Sequence, residues 1–188
     1  MTESDDRLVA TRLFTTQIIA GSLVMGVVVF LGIACYVVYG QPAVDDPAPA
    51  HDTLPIITLV AFAMLVGTAG ASLILPRQFT QTAVRNIAAG TWPVPPGTDP
   101  KDCEGDTIKL LATWQTSLIM GLAPLEGAAF TGCIAFLVER RPYALAVVAI
   151  GVVAMLMRFP TDGRLRAWLS QAGEEVNSMR QGNSPPNV

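Results

Sequence analysis

Apolar residues in this chain gather into four blocks separated by polar and charged segments, instead of recurring with the period that a water-soluble core requires. From Leu13 to Val44 there is no charge. The most apolar part of that block, Ile18 to Tyr39, covers about 33 Å at 1.5 Å per residue, which matches a hydrocarbon core of roughly 30 Å. A second uncharged block runs from Thr53 to Pro76. Pro55 falls where a first-turn proline is tolerated, and Pro76, followed by Arg77, marks the stop. The third block, Leu110 to Val138, lies between Lys109 and Glu139 and carries one ionisable side chain, Glu126, near its middle. The fourth, Tyr143 to Met157, spans only about 23 Å, so Tyr143 and a snorkelling Arg158 are expected at the membrane boundaries.

The pattern predicts an all-α membrane protein with four transmembrane helices and a C-terminal cytoplasmic amphipathic helix. In chain order the expected parts are an N-terminal segment (1–12), the first span (13–40), a Pro/Ala-rich outer loop (41–53) and the second span (54–76). A cytoplasmic loop with an interfacial helix (77–109), the third span (110–138), a tight outer turn (139–142) and the fourth span (143–158) follow, then the amphipathic helix and a disordered tail (159–188). The interfacial helix would lay Phe79, Val84 and Ile87 against lipid headgroups. After Pro160, the residues Leu165, Trp168, Leu169, Ala172 and Val176 recur at helical spacing, with Thr161 or Asp162 as the cap. Leu165, Trp168 and Leu169 are expected to dock this helix on the membrane surface. The first block is too long for the apolar region of a cleaved signal peptide and is read as a retained span.

Charge sets the orientation. Of the 12 Lys and Arg, only Arg140 and Arg141 fall on one side of the expected spans, and the other ten fall on the opposite side. Basic residues near span ends resist translocation, so both termini and the central loop are expected in the cytoplasm of a cell whose inner (plasma) membrane holds the protein. A net charge of -3 excludes a nucleic-acid role, since phosphate neutralisation needs a clustered basic surface. Three cysteines without regular spacing and a single histidine, His51, give neither a disulfide framework nor a metal site, and no cofactor is expected. The outer-loop acids Asp45, Asp46 and Asp52 offer at most a loose cation contact in a solvated linker, and the acids of residues 99–106 lack the ligand order of a calcium hand.

Within lipid, helices associate through small residues at four-residue spacing. Such rows are Ser22 and Gly26 in the first span, Ala63, Gly67 and Ala71 in the second, and Ala123, Gly127 and Thr131 in the third. Glu126 is the one residue in a span that could carry chemistry. A charge near the bilayer midplane costs from about 2.5 kcal/mol upwards, so this carboxyl should be protonated, paired or facing water. Pro124, two residues earlier, removes the N–H that would bond the Met120 carbonyl, and Glu126, Pro124 and Thr131 form a candidate proton or cation site.

The stretch Gly121-Leu122-Ala123-Pro124-Leu125-Glu126-Gly127-Ala128-Ala129-Phe130 resembles the carboxylate-bearing second helix of the rotary ATP synthase proteolipid (subunit c), and Leu75-Pro76-Arg77-Gln78 is similar to its cytoplasmic polar turn. The resemblance implies that Glu126 carries a proton. The chain departs from that family in the roughly thirty residues between Arg77 and the third span, and in its first and fourth spans. Leu125 to Phe130, with Arg158-Phe159-Pro160-Thr161 and Gly163-Arg164, is also similar to uncharacterised small bacterial four-helix membrane proteins, which implies no activity. With no Ser/His, paired-Asp or zinc constellation at one depth, a non-catalytic subunit or scaffold is expected. Its partners would be the bilayer and another membrane protein or a second copy, and the alternative is a proton- or ion-coupled component using Glu126.

Overall fold

The structure, a computed structural model, describes residues 3–40, 55–93 and 105–182, with side chains from Asp6 onward. The outer loop, residues 94–104 of the central loop and the end of the tail lie outside the described residues. Five helices account for the described chain: α1 (Glu3–Tyr39), α2 (Ile56–Ala88), α3 (Asp106–Glu139), α4 (Ala144–Met157) and α5 (Asp162–Gly182). Helices α1, α2 and α3 are long and apolar enough to cross a membrane. The 14 residues of α4 reach about 21 Å and meet the same measure only when joined to α5. The architecture is all-α and of the multi-pass membrane type.

The three long helices overrun the expected spans. At 37, 33 and 34 residues they are about 50 to 55 Å long, well beyond one hydrocarbon core. Their surplus length belongs to a separate packing unit. One unit comprises residues 1–18, 74–119 and 160–188, the other residues 19–73 and 120–159.

The second of these units has the surface of a lipid-embedded body. Its helical segments in α1, α2 and α3 run for about 18 to 21 residues each, or about 27 to 32 Å. Large apolar side chains stand on its outside, among them Val29, Ile33, Val66, Ile150 and Val153, and Val66 is 74% exposed. A water-soluble unit of this size would not tolerate that much exposed apolar surface. Its interior is made of small and medium residues: Ala34, Ala61, Ala128, Ala135, Phe136, Ala144 and Val147 form one cluster, and Val27, Ala129, Cys133 and Val148 another. Phe30 and Phe130 add an edge-to-face ring contact at 5.4 Å.

The first unit is built the other way, with apolar residues inside. Val9 of α1, Val84 and Ile87 of α2, Leu110, Leu111 and Trp114 of α3, and Leu165, Leu169, Ala172 and Val176 of α5 form one buried cluster. Two expectations are corrected by it. The apolar stripe of α5 is not free to dock on a membrane surface, because Leu165 and Leu169 are buried against the other three helices, with Trp168 packed at the edge. Likewise Val84 and Ile87, expected against lipid headgroups, face the same core, which Leu110, Leu111 and Trp114 share. Charged contacts fasten the periphery: Arg166 bonds Asp162 and Asp6, and Arg180 bonds both carboxylate oxygens of Asp106, at 2.6 and 3.0 Å, together with the Ile87 carbonyl. The hydrogen bonds to Asp106 and Asp6 move the two guanidinium pKa values upward, so both stay charged at any working pH. Asp162, the first residue of α5, binds Arg166.

Helix α2 does not stop at Pro76. It continues to Ala88 and closes with Gly90 at φ +71°, whose N–H bonds the Ile87 carbonyl while the Thr91 N–H bonds that of Asn86. That pair of bonds is the glycine-dependent Schellman ending. Residues 75–78 are thus helical and form no turn.

Candidate functional site

A proline inside a helix leaves the carbonyl four residues earlier without its N–H. Pro76 does this to Ser72 in α2, and Pro124 does it to Met120 in α3. In an apolar surrounding an orphaned carbonyl costs about 1 to 3 kcal/mol, so a helix is expected to break there unless another donor arrives. For the Ser72 carbonyl, Arg158, just past the end of α4, is that donor. Its Nη1 donates to the Ser72 carbonyl at 2.7 Å and to the Gly121 carbonyl at 3.1 Å, one residue beyond Met120. One guanidinium thus ties the proline-disturbed turns of α2 and α3 to the end of α4. The expected snorkelling of Arg158 toward headgroups is corrected: the side chain is half-buried and turned onto backbone carbonyls.

At the other end of the same unit, Glu139 does the corresponding task for a helix start. The first N–H groups of a helix have no partner within it. The Ile57 N–H donates to Glu139 Oε1 at 2.7 Å, and the Thr58 N–H and hydroxyl donate to Oε2. The last residue of α3 therefore caps the first turn of α2, where a carboxylate is also favoured by the helix dipole. The next residue, Arg140, has φ 51° and sends its N–H to the Phe136 carbonyl, an ending that glycine usually occupies.

Glu126 and its expected partners separate in space. The Glu126 carboxylate lies beside α1, with Oε1 3.9 Å from where a side chain on Gly26 would begin, next to Phe130. Among the described residues it makes no hydrogen bond or ion pair. Thr131 faces the other way, donating to the Gly127 carbonyl at 2.9 Å and approaching the Met64 sulfur of α2 at 3.7 Å. Pro124 shares the helix with both. Between these two edges runs an exposed strip of α3 that includes Ala123, Gly127, Ile134 and Val138.

The small-residue rows divide in a way the spacing does not reveal. Gly26 meets Phe130 and Glu126, in ordinary contact. Gly67 and Gly127 have nothing within 4 Å of an added side chain, and Ser22, Ala63 and Ala123 are exposed, with Ala71 half-buried. The tight approaches are made elsewhere: a side chain on Gly132 would meet Val147 and Val148 at 3.0 to 3.1 Å, and one on Gly151 would meet Ala129 at 3.0 Å. Helices α3 and α4 pack through Gly132 and Gly151, while of the rows expected to pack Gly26 faces α3 and Ser22, Ala63, Gly67, Ala123 and Gly127 point outward. No group of metal-ligating side chains occurs among the described residues.

No protein-family model, curated protein or solved structure matches the chain.

Proposed function

We propose that this chain is a non-catalytic subunit or scaffold of a membrane complex, held in the inner (plasma) membrane of a bacterium by four spans with both termini in the cytoplasm. The observation that carries the reading is the outward strip of α3, where Ala123 and Gly127 stand open and Glu126 borders them without a polar partner among the described residues. Small residues permit the backbone of a neighbouring helix to come close, and a carboxyl in a span is stabilised when such a helix brings a donor. The two-to-ten division of basic residues supports the cytoplasmic termini. The test is purification from native membranes in mild detergent. Wild type should migrate with a partner chain, and Gly127→Leu should release that partner while retaining its own helical content. Crosslinking in native membranes that finds wild type only as a lone chain would reject the proposal.

A second reading makes Glu126 a proton or ion carrier beside the Pro124 turn of α3, without Thr131, which faces the other way. It is favoured by the absence, among the described residues, of any internal hydrogen bond that would hold the carboxyl in one state. Labelling of Glu126 by a hydrophobic carbodiimide supports this reading, and unchanged growth and assembly of Glu126→Gln removes it.

A further inference from the structure

The first unit carries a shallow recess of about 320 Å³ that the proposed function does not use. It is lined by Arg77, Thr80 and Gln81 of α2, Trp114 and Ser117 of α3, and Trp168 of α5. Its position along α2 is distinctive. The uncharged run from Thr53 ends at Pro76, and Arg77 is the first charge after it. On the preceding turn Ile74 and Leu75 are 55% and 41% exposed, two of the few large apolar side chains that stand outside this unit.

The lining side chains are donors in search of an acceptor. Arg77, Thr80 and Gln81 make no side-chain hydrogen bond or ion pair among the described residues. The Ser117 hydroxyl already donates to the Trp114 carbonyl at 3.1 Å, so the donors left for a ligand are Arg77, Thr80 and Gln81. Tryptophan prefers the membrane interface, where one part of the ring system is apolar and the N–H can be hydrated. Arginine pairs with phosphate through two parallel N–H bonds. A guanidinium, neutral donors and two indoles where an apolar run gives way to charge match a phosphate esterified to a lipid, whose acyl chains would follow Ile74 and Leu75.

We propose that the recess of Arg77, Thr80, Gln81, Trp114, Ser117 and Trp168 binds the headgroup of an anionic phospholipid. Trp168, which the sequence assigns to general membrane docking, instead frames one side of a defined site. The occupant is an intact lipid and not free phosphate, because the exposed Ile74 and Leu75 would otherwise face water.

The test uses the full chain in nanodiscs of mixed phosphatidylglycerol and phosphatidylcholine, followed by release into detergent and mass measurement of retained lipid. Wild type should retain phosphatidylglycerol in preference to phosphatidylcholine. Arg77→Gln should reduce that preference roughly fivefold, the effect of one basic residue near an anionic surface, while Arg85→Gln, outside the recess, leaves it intact. Excess inorganic phosphate should not displace the lipid. Equal retention of the two lipids by wild type overturns the proposal without recourse to any variant. Full displacement by inorganic phosphate overturns it in favour of a free-phosphate site, and an unchanged preference in Arg77→Gln overturns the assignment to this recess.

Discussion

Replacing Arg158 by methionine keeps an apolar stem of similar length and removes the donor that bridges α2 and α3. Two carbonyl contacts are lost, at 2.7 Å to Ser72 and 3.1 Å to Gly121. The Ser72 carbonyl has no fallback, since Pro76 occupies the position of its helical N–H, and leaving it unpaired costs about 1 to 3 kcal/mol. Gly121 is followed four residues later by Leu125, which has an N–H, so its loss adds about 0.5 to 1 kcal/mol. Part of this is offset because a charged group no longer has to be held away from water. The net expectation is a destabilisation of about 2 kcal/mol, read as a shift in reversible unfolding of the detergent-solubilised protein on titration with a denaturing detergent. The decisive comparison is a double-mutant cycle with Pro76→Ala, which returns an N–H to Ser72. In that background Arg158→Met should cost less by about 1 to 2 kcal/mol, because one of its two acceptors is already satisfied. Equal costs in the two backgrounds would refute the assignment of Arg158 to the proline-freed carbonyl.

Two further outcomes follow from the same packing unit. Glu139→Gln keeps one acceptor for the start of α2 but loses the charge-assisted bonds to Ile57 and Thr58, and should lower stability by about 1 to 2 kcal/mol in the same unfolding assay. Gly132→Ala drives a methyl group against Val147 and Val148 and should cost about 1 to 3 kcal/mol, whereas Gly127→Ala enters open space and should leave the fold unaffected or slightly more stable. Thermal denaturation of the two alanine variants side by side distinguishes the inward row from the outward one.

The apolar blocks make the membrane character of the chain legible, because an uncharged run of span length is apolar around the whole circumference of its helix and must be shielded from water on every side. Helix ends are not legible to the same degree. Pro76 reads as a stop from its neighbours, and the donor that satisfies the Ser72 carbonyl it frees, Arg158, is distant in sequence. The N-cap of α2 is hidden for the same reason, since Pro55 offers no side-chain acceptor and Glu139 comes from another helix. Periodicity identifies the apolar face of α5 correctly, but a stripe states that a face is buried and not by what. Its partners, Val9, Val84, Ile87, Leu110 and Trp114, are scattered over segments that read as a terminal arm, an interfacial helix and a span. Four-residue spacing of small residues occurs on both the inward and outward sides of α3, so spacing alone does not separate Gly127 from Gly132. Glu126 stands out by its isolation among apolar neighbours, and its separation from Thr131, five residues or about 140° around the helix, follows from helix geometry, whereas which helix flanks each of them does not.

The most direct measurement is labelling of single cysteines by a membrane-impermeant maleimide, with the natural cysteines replaced. Val66→Cys lies on a side chain that is 74% exposed on the protein, and Gln171→Cys lies on the exposed face of α5. With lipid covering the second unit, Val66→Cys should stay unreactive in intact cells and in inverted vesicles, and become reactive only on unfolding. Gln171→Cys should react in inverted vesicles and not in intact cells. Reaction of Val66→Cys without disruption of the membrane, or of Gln171→Cys from outside intact cells, would contradict the membrane architecture and its orientation respectively.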